Sequence, residues 1–388
     1  MASQKLSQKK NSKNKKKICV AVVFGGMSGE HEVSLRSAAS IIAALDKSKY
    51  EVLPVRVEKT GRWTVDAQML AAPDKATSLK GKSSERETRI LAPGTSRGVL
   101  LSGDAATAER VDVVFPIVHG SGGEDGALQG LMELAGLPYV GSGILGSAIG
   151  MDKVTQKKLL ERDGFPVAPY VHFRASDWKQ NATTIVSDIE KTLGYPCFVK
   201  PANLGSSVGV SKAHHRKELR AGIEDALSYD TKVVVEKAIL NCREIECGVL
   251  GNDKPHASVL GEIIPSNEFY DYAAKYLDGK SKVIIPADLP KVLTENIRTM
   301  AVQAFRSLDT AGFARADFFV ERTTNEVYIN EVNTLPGFTS ISMFPMLWEA
   351  SGVSYPELLD RLIDMALARD KERSELKRSF TPPAPKRA

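Results

Sequence analysis

Residues 18–24, ICVAVVF, form an unbroken apolar run closed by Gly25-Gly26, and EVSLRSAASIIAALD follows from residue 32. A short β-branched run that ends in glycine is a strand buried on both faces, the kind found in parallel sheets. The segment after it sets Leu35, Ala39, Ile42 and Leu45 on one face of a helix. YEVLPVRV (50–57) is a second strand, and VDVVFPIVHG (111–120) is another that again ends in glycine. This βα alternation predicts a doubly wound α/β domain over residues 18–145. In such sheets ligands gather at the carboxyl ends of the strands, where Glu30 and His119 fall.

The chain has 388 residues, too many for one core, so two or three domains are expected. After GSGILGSAIG a helix, MDKVTQKKLLERDG, places Lys153 one turn in, with Gly164 and Pro166 as stop signals. FPVAPYVHF, the helix ATTIVSDIEKTLG, the strand pair in YPCFVKPANLGSSVGVSKA and the strand TKVVVEKAI complete a middle region ending near 240. Beyond it come more strands, the helix VLTENIRTMAVQAFRSL, and the strands ARADFFVE and VYINEVN, whose short RTTN connection suits a hairpin.

Net charge narrows the partners. The formal charge is +5, but residues 1–17 hold seven lysines and no acid, so setting them aside leaves the rest at −2. The basic character belongs to a terminal tail, read with residues 371–388 as solvated and disordered, and no nucleic-acid partner is expected. Neither a membrane-length apolar run nor a signal peptide is visible, so membrane insertion is not expected. Cys19, Cys197, Cys242 and Cys247 show no CxxC pair, which fits reduced structural thiols in a cytoplasmic protein.

The sharpest local chemistry lies in the last hairpin. Alternation puts Arg315 and Asp317 on one face, and Glu331 with Asn333 likewise. Paired across the turn, Asp317, Glu331 and Asn333 make an all-oxygen cluster beside Arg315. That set suits Mg²⁺, which takes its other ligands from water and phosphate; an ordinary solvated sheet face is the other reading. PANLGSSVGVSK offers small residues whose amides can approach an anion, with Lys200 beside them, yet it is no Walker loop, and a simple hairpin loop also fits. GGMSGEHEVS joins strand to helix, so Glu30 is either functional or an acid satisfying the helix dipole. In NEFYDYAAKYLDGKSK (267–282), Phe269, Tyr272, Ala273 and Tyr276 have helical spacing, which leaves a core-facing helix, a loop or a site open.

Seven segments in order, FGGMSGEHEVSLRSA, HGSGGEDGALQGLMELAGLPYVGSG, MDK, VKPANLGSSVGVSK, FYDYAAKY, ARADFF and NEVNTLPGFTSIS, resemble the D-alanine–D-alanine ligases, a family of ATP-grasp ligases. The resemblance runs from about residue 18 to 370 and is far more specific than any single segment. It implies an α/β, three-domain ATP-grasp fold: an N-terminal doubly wound domain (18–145), with central (146–240) and C-terminal (241–370) α+β domains enclosing ATP. It also implies a two-step reaction. One D-alanine carboxylate takes the γ-phosphoryl group of ATP, and the amine of a second D-alanine then displaces phosphate, giving the dipeptide used for peptidoglycan.

Carried over by motif, Lys153 and Lys200 are the phosphate-contacting lysines, and the Ser206 loop is a lid. Glu236 with the backbone of Lys237 and Ile239 meets adenine, and Glu244 meets the ribose. EKAILNCRE is one residue longer than the family spacing, a departure that falls on the Ile239 contact. Asp317, Glu331 and Asn333 match the ligands of two Mg²⁺ (or Mn²⁺) ions. Arg315 and the Gly337 amide match an oxyanion site. Glu30 holds the first D-alanine's ammonium with His119 nearby, and Ser342, the Met343 amide and Lys275 take the second one's carboxylate. The aromatic stretch becomes a loop over the active site (266–282), with Phe269 near the nucleotide and Tyr276 bridging to Ser206 and Glu30. A homodimer through the N-terminal domain is implied.

Two other functions fit the same segments less well. A D-alanyl-D-lactate ligase typically differs in the loop that carries Lys275 and Tyr276 here. An inert nucleotide-binding scaffold conflicts with the intact set Lys153, Lys200, Arg315, Asp317, Glu331 and Asn333.

Overall fold

The computed structural model describes residues 16–66, 69–70, 88–90, 99–102, 108–265, 282–339 and 341–377. Phe269, Lys275 and Tyr276, both tails up to residue 15 and from 378, and nearly all of the aromatic stretch lie outside the described residues.

The first sheet is built from β1 (Ile18–Gly25), β2 (Tyr50–Val57), β3 (Trp63–Val65) and, after three short strands, β7 (Val113–Pro116), in the order β3-β2-β1-β7. The intervening β4 (Thr88–Ile90), β5 (Val99–Ser102) and β6 (Ala108–Arg110) form their own antiparallel sheet. β1 runs parallel to both β2 and β7 and is buried on both faces, as its apolar run requires. Val20, Val22 and Phe24 pack toward α1 (His31–Ala44), whereas Ala21 and Val23 pack toward Leu128 and Met132 of α2 (Ala127–Leu134). Gly25, at φ +95°, ends β1 where an added Cβ would sit 2.2 Å from the Val57 carbonyl.

The buried face of α1 is wider than the four-residue stripe read from sequence. It includes Val33, Ser34, Ser37, Ala38 and Ile41, and Ala39 falls at its margin. The reason is a second neighbour, the C-terminal helix described below.

A separate helix, α3 (Ile144–Met151), stands where the sequence reading placed none, and the helix read from Met151 onward begins instead at Lys153, as α4 (Lys153–Arg162). Asp152 breaks them in an extended conformation and accepts the Thr155 N–H at 2.9 Å as the cap of α4. Lys153 is therefore the first residue of a helix and not one turn in.

A central antiparallel sheet, order β10-β9-β11-β8, follows from β8 (Tyr170–Arg174), β9 (Cys197–Pro201), β10 (Ser211–Ala213) and β11 (Lys232–Lys237). α5 (Ala175–Thr192) and α6 (Arg216–Tyr229) cover the face carrying Cys197, Val199, Ala213, Val233 and Val235. Alternation turns Phe198, Lys200 and Glu236 to the other face.

The third sheet, order β14-β13-β12-β15-β16, contains β12 (Cys242–Gly251), β13 (His256–Ile264), β14 (Lys282–Ile284), β15 (Gly312–Glu321) and β16 (Val327–Asn333). α7 (Lys291–Ser307) buries Ile297, Ala301, Ala304 and Phe305 with Phe318, Val320 and Ile329. α8 (Met343–Ala350) and α9 (Tyr355–Ser374) end the described chain. α9 returns to the first sheet, where Leu358, Leu359, Leu362 and Ile363 join Val20, Val22 and Phe24. Each such aliphatic side chain contributes roughly 1.5–3 kcal/mol when fully buried. Tyr50 donates to Asp360 at 2.8 Å and Arg369 to the Tyr139 carbonyl at 2.9 Å, fixing the return. Among the described residues no helix is long and apolar enough to cross a membrane.

Candidate active site

The β15–β16 hairpin carries the densest polar group. Arg315 stands opposite Asn333 and Asp317 opposite Glu331, after which the register shifts so that Phe318 meets Ile329. Asn330 is the extra residue, a bulge. Strict alternation would put Ile329 on the face of Glu331 and Asn333. The bulge instead sends Ile329, fully buried, to the core while Glu331 and Asn333 stay on the cleft side.

On that face Arg315 donates from Nε to Asp317 Oδ1 at 2.7 Å and from a terminal nitrogen to Oδ2 at 2.8 Å. Asn333 Nδ2 donates to Asp317 Oδ2 at 2.8 Å. Glu246 of β12, opposite Asp317 on the other side, contacts Arg315 Nε at 2.8 Å. Burial disfavours the Arg315 charge, but Asp317 and Glu246 outweigh that and raise its pKa well above the usual arginine value. This is a fixed cation beside carboxylates.

The donor set fits a hard divalent cation. Asn333 turns its NH₂ to Asp317, which leaves Oδ1 as the amide's acceptor end, and Asp317 and Glu331 supply carboxylate oxygens from paired positions.

Two lysines face this group, Lys200 from the central sheet and Lys153 from the start of α4. Lys153 Nζ donates to the Leu204 carbonyl at 2.7 Å and lies 3.6 Å from Glu331 Oε2. Lys200 Nζ donates to Glu236 Oε2 at 2.8 Å. At the end of β11, Lys237 N–H donates to the Pro169 carbonyl at 2.9 Å, and a proline has no N–H to return. What Lys237 offers a ligand is its carbonyl. The Ile239 carbonyl accepts from Cys242 Sγ at 3.2 Å, so what Ile239 offers is its N–H. Asn241, at φ +48°, makes the turn into β12, and Glu244 follows on the cleft face with Phe319 opposite it.

Between β9 and β10 the loop reaches the first sheet. Ser206 and Ser207 adopt left-handed backbone, φ +50° and +58°, a costly conformation for non-glycine residues that clusters at functional sites. Ser206 Oγ donates to Glu30 Oε1. An added Cβ at Gly205 would lie 2.8 Å from Glu30 Oε2, and one at Gly120 2.7 Å from the same oxygen. Glu30 is only 7% exposed, stands at the N-cap of α1 and makes no side-chain cap bond to it.

His119 lies beneath this junction. Its Nδ1 is 3.2 Å from Glu124 and its Nε2 3.1 Å from Ser37 Oγ, which also accepts the Phe338 N–H at 3.4 Å. Burial lowers the His119 pKa, but the Glu124 hydrogen bond and the Glu124 and Glu30 charges outweigh it and the net direction is up. Phe338 adjoins Gly337. Ser342 Oγ accepts from Thr339 N–H at 3.1 Å, and Ser342 stands at the N-cap position of α8, whose first residue is Met343, without a side-chain cap bond. A helix N-terminus there is a place for a carboxylate.

These residues line one cavity of about 780 Å³ whose walls include Glu30, His119, Lys153, Lys200, Ser206, Glu236, Lys237, Ile239, Glu244, Arg315, Asp317, Glu331, Asn333, Gly337, Ser342 and Met343. Sequence reading overlooked Glu246, Glu124, Ser37 and the buried Lys157. Only Glu246 had a usable signal, two residues from Glu244 on the same strand face.

A cleft between two antiparallel sheets, with Lys200 on one, Lys153 on the helix beside it and an arginine–acid–amide face on the other, defines the class of ATP-grasp ligases. Family models described as D-ala D-ala ligase N-terminus and C-terminus match residues 19–142 and 159–364. The D-alanine--D-alanine ligase of Natranaerobius thermophilus is 50% identical over 94% of this chain and 99% of its own length. That of Acetivibrio thermocellus is 49% identical over 90% and 96%. The solved D-alanine-D-alanine ligase of Coxiella burnetii superposes with TM-score 0.80 at 37% identity, covering 92% of this chain and 96% of that one. The VanG D-Ala:D-Ser ligase of Enterococcus faecalis does so with 0.81 at 36%, covering 90% and 100%. The chain belongs to the D-alanine–D-alanine ligase family.

Proposed function

We propose that this chain joins two D-alanine molecules at the expense of ATP, and that the residues above divide the work as follows. The observation that carries this reading is the arginine–carboxylate–amide face of the hairpin set across one cavity from Lys153, Lys200 and the Glu30–Ser206 contact.

ATP lies between the central and C-terminal sheets. Glu236, the Lys237 carbonyl and the Ile239 N–H meet adenine, Glu244 meets the ribose, and Lys153 and Lys200 meet the phosphates, with the Ser206 loop over them. Phe269 closes the nucleotide side. The first D-alanine sits with its ammonium on Glu30, near His119. Its carboxylate oxygen attacks the γ-phosphorus, the bond to the β-phosphate oxygen breaks, and ADP and D-alanyl phosphate result. The second D-alanine, its carboxylate on Ser342, the Met343 amide and Lys275, attacks the acyl carbon with its neutral amine. Arg315 and the Gly337 amide hold the oxyanion until phosphate leaves, a type of contact worth about 10²–10³ in rate. Asp317, Glu331 and Asn333 would hold two Mg²⁺ (or Mn²⁺) ions, which when bound spread the charge of the transferring phosphoryl group. Tyr276 locks the loop over the site, excluding water from the acyl phosphate.

The wider reading is a cytoplasmic peptidoglycan-precursor enzyme with domains at 18–145, 146–240 and 241–370. It pairs as a homodimer through the first of these. The experiment is phosphate release with ATP, Mg²⁺ and D-alanine. Release that depends on D-alanine is expected, and its absence overturns the reading. D-lactate and D-serine offered as second substrates at neutral pH distinguish the sibling ligases.

A further inference from the structure

Lys157 lies four residues beyond Lys153 on α4 and is 1% exposed. Its Nζ is 3.3 Å from Glu236 Oε1, while Lys200 Nζ is 2.8 Å from Oε2 of the same carboxylate. Two ammonium groups thus bracket one buried acid, one on each oxygen. Apolar Val154, Ala202 and Val234 cluster alongside, and the Tyr170 ring lies 6.0 Å from the Lys157 nitrogen. The 3.3 Å ion pair is the contact through which Lys157 acts on Glu236 Oε1. Glu236 and Lys200 line the cavity and Lys157 does not.

A buried cation in apolar surroundings costs several kcal/mol unless a partner charge offsets it, and Glu236 is the partner here. Lys200 alone already neutralises Glu236. The second lysine becomes necessary once Lys200 is drawn to a nucleotide phosphate, because Glu236 would then be a buried carboxylate without a cation. Such a group takes up a proton or moves. Burial pushes the Lys157 pKa down, and burial pushes that of Glu236 up, but the two lysines outweigh it and hold Glu236 below the usual carboxylate range.

The state of Glu236 matters for the base. A 6-aminopurine presents a donor at its exocyclic nitrogen beside the N7 acceptor, whereas a 6-oxopurine presents two acceptors. An ionised carboxylate accepts from the first and repels the second. We infer that Lys157 is a positioning residue for nucleotide selectivity, holding Glu236 ionised and in place when Lys200 turns to the phosphates. The inference rests on the proposed ATP site, and its test separates the two.

The test is steady-state kinetics with ATP and with inosine triphosphate for the wild type, Lys157→Met, Lys157→Arg and Glu236→Gln. Lys157→Met should raise KM for ATP about tenfold and lower the ATP-to-ITP ratio of kcat/KM by about tenfold, with kcat at saturating ATP within about threefold. Lys157→Arg, which restores the charge, should keep the ratio within about threefold of wild type. A wild-type ratio in Lys157→Met, or a fall in kcat with KM unchanged, overturns the inference. If Lys157→Met does not fold, Lys157→Met/Glu236→Gln is compared with Glu236→Gln alone. Matching ratios support action through Glu236, and a further tenfold loss, about 1.4 kcal/mol, overturns it. A wild-type ratio in Glu236→Gln would mean that Glu236 does not face the base, which is failure of the proposed ATP site and not of the lysine's role alone.

Discussion

Gln156 grips the backbone of Val332 at both ends. Its Oε1 accepts the Val332 N–H at 2.8 Å and its Nε2 donates to the Val332 carbonyl at 3.1 Å, with a further bond to the Gly150 carbonyl at 2.9 Å. β16 is the edge of its sheet, and this amide occupies the place where another strand would pair. Val332 lies between Glu331 and Asn333, so a side chain of α4 sets the strand that carries two of the proposed metal ligands. Gln156→Leu leaves buried backbone groups without partners, and a loss of about 1–3 kcal/mol of stability is expected. Chemical denaturation measures this. Turnover should fall by more than the unfolded fraction explains, because the ligand strand is no longer held, and a proportionate fall would limit Gln156 to stability.

The contact between Glu30 and the β9–β10 loop depends on the absence of a side chain at position 205. Gly205→Ala places a methyl 2.8 Å from Glu30 Oε2, so the carboxylate or the loop must shift. KM for D-alanine at the first site should rise about tenfold while the fold, read by melting temperature, stays near wild type. An unchanged KM would show that the loop yields without cost to the substrate.

His119 gives a pH dependence whose sign follows from its surroundings. Its folded pKa is raised above the ordinary imidazole value of about 6.5, with burial opposing and Glu124 prevailing. The stabilisation from protonated His119 is therefore fully present below the unfolded pKa and is lost as pH rises through the folded one. The stability difference between wild type and His119→Gln should be larger in acid than in alkali. Denaturation curves between about pH 5 and 9 test this. A difference that grows with rising pH would contradict the arrangement.

The strands, the βα order and the hairpin were legible because each rests on local periodicity and on glycine placed at strand ends. The polar faces were legible only as far as alternation holds. It holds on β15 and fails at Asn330, where the core demands Ile329 and the site demands Glu331, a conflict that only an extra residue resolves. The sequence pattern places the start of α4 two residues early, at Met151, because the single cap residue Asp152 between two helices leaves the local helical pattern nearly intact. Lys157 and Gln156 escaped for a different reason. Both look like exposed polar positions, and only tertiary neighbours from β11 and β16 make their burial tolerable. The return of α9 to the first sheet has no local signal either, since pairing of distant apolar faces is not written in either segment.

Glu331 separates charge from structure most cleanly at this site. It is half-buried, pairs across the hairpin with Asp317, and lies 3.6 Å from Lys153 Nζ. Glutamine keeps its size and removes its charge, so Glu331→Gln should change stability by about 1 kcal/mol at most, the usual worth of a partly exposed ion pair. The proposed phosphoryl transfer needs that charge to hold Mg²⁺ near the transferring group, and turnover should drop at least about a hundredfold. Raising Mg²⁺ should recover part of the loss if the substitution weakens the ion's binding. Near-wild-type phosphate release at ordinary Mg²⁺ would remove Glu331 from the metal site and leave it as a counter-ion to Lys153.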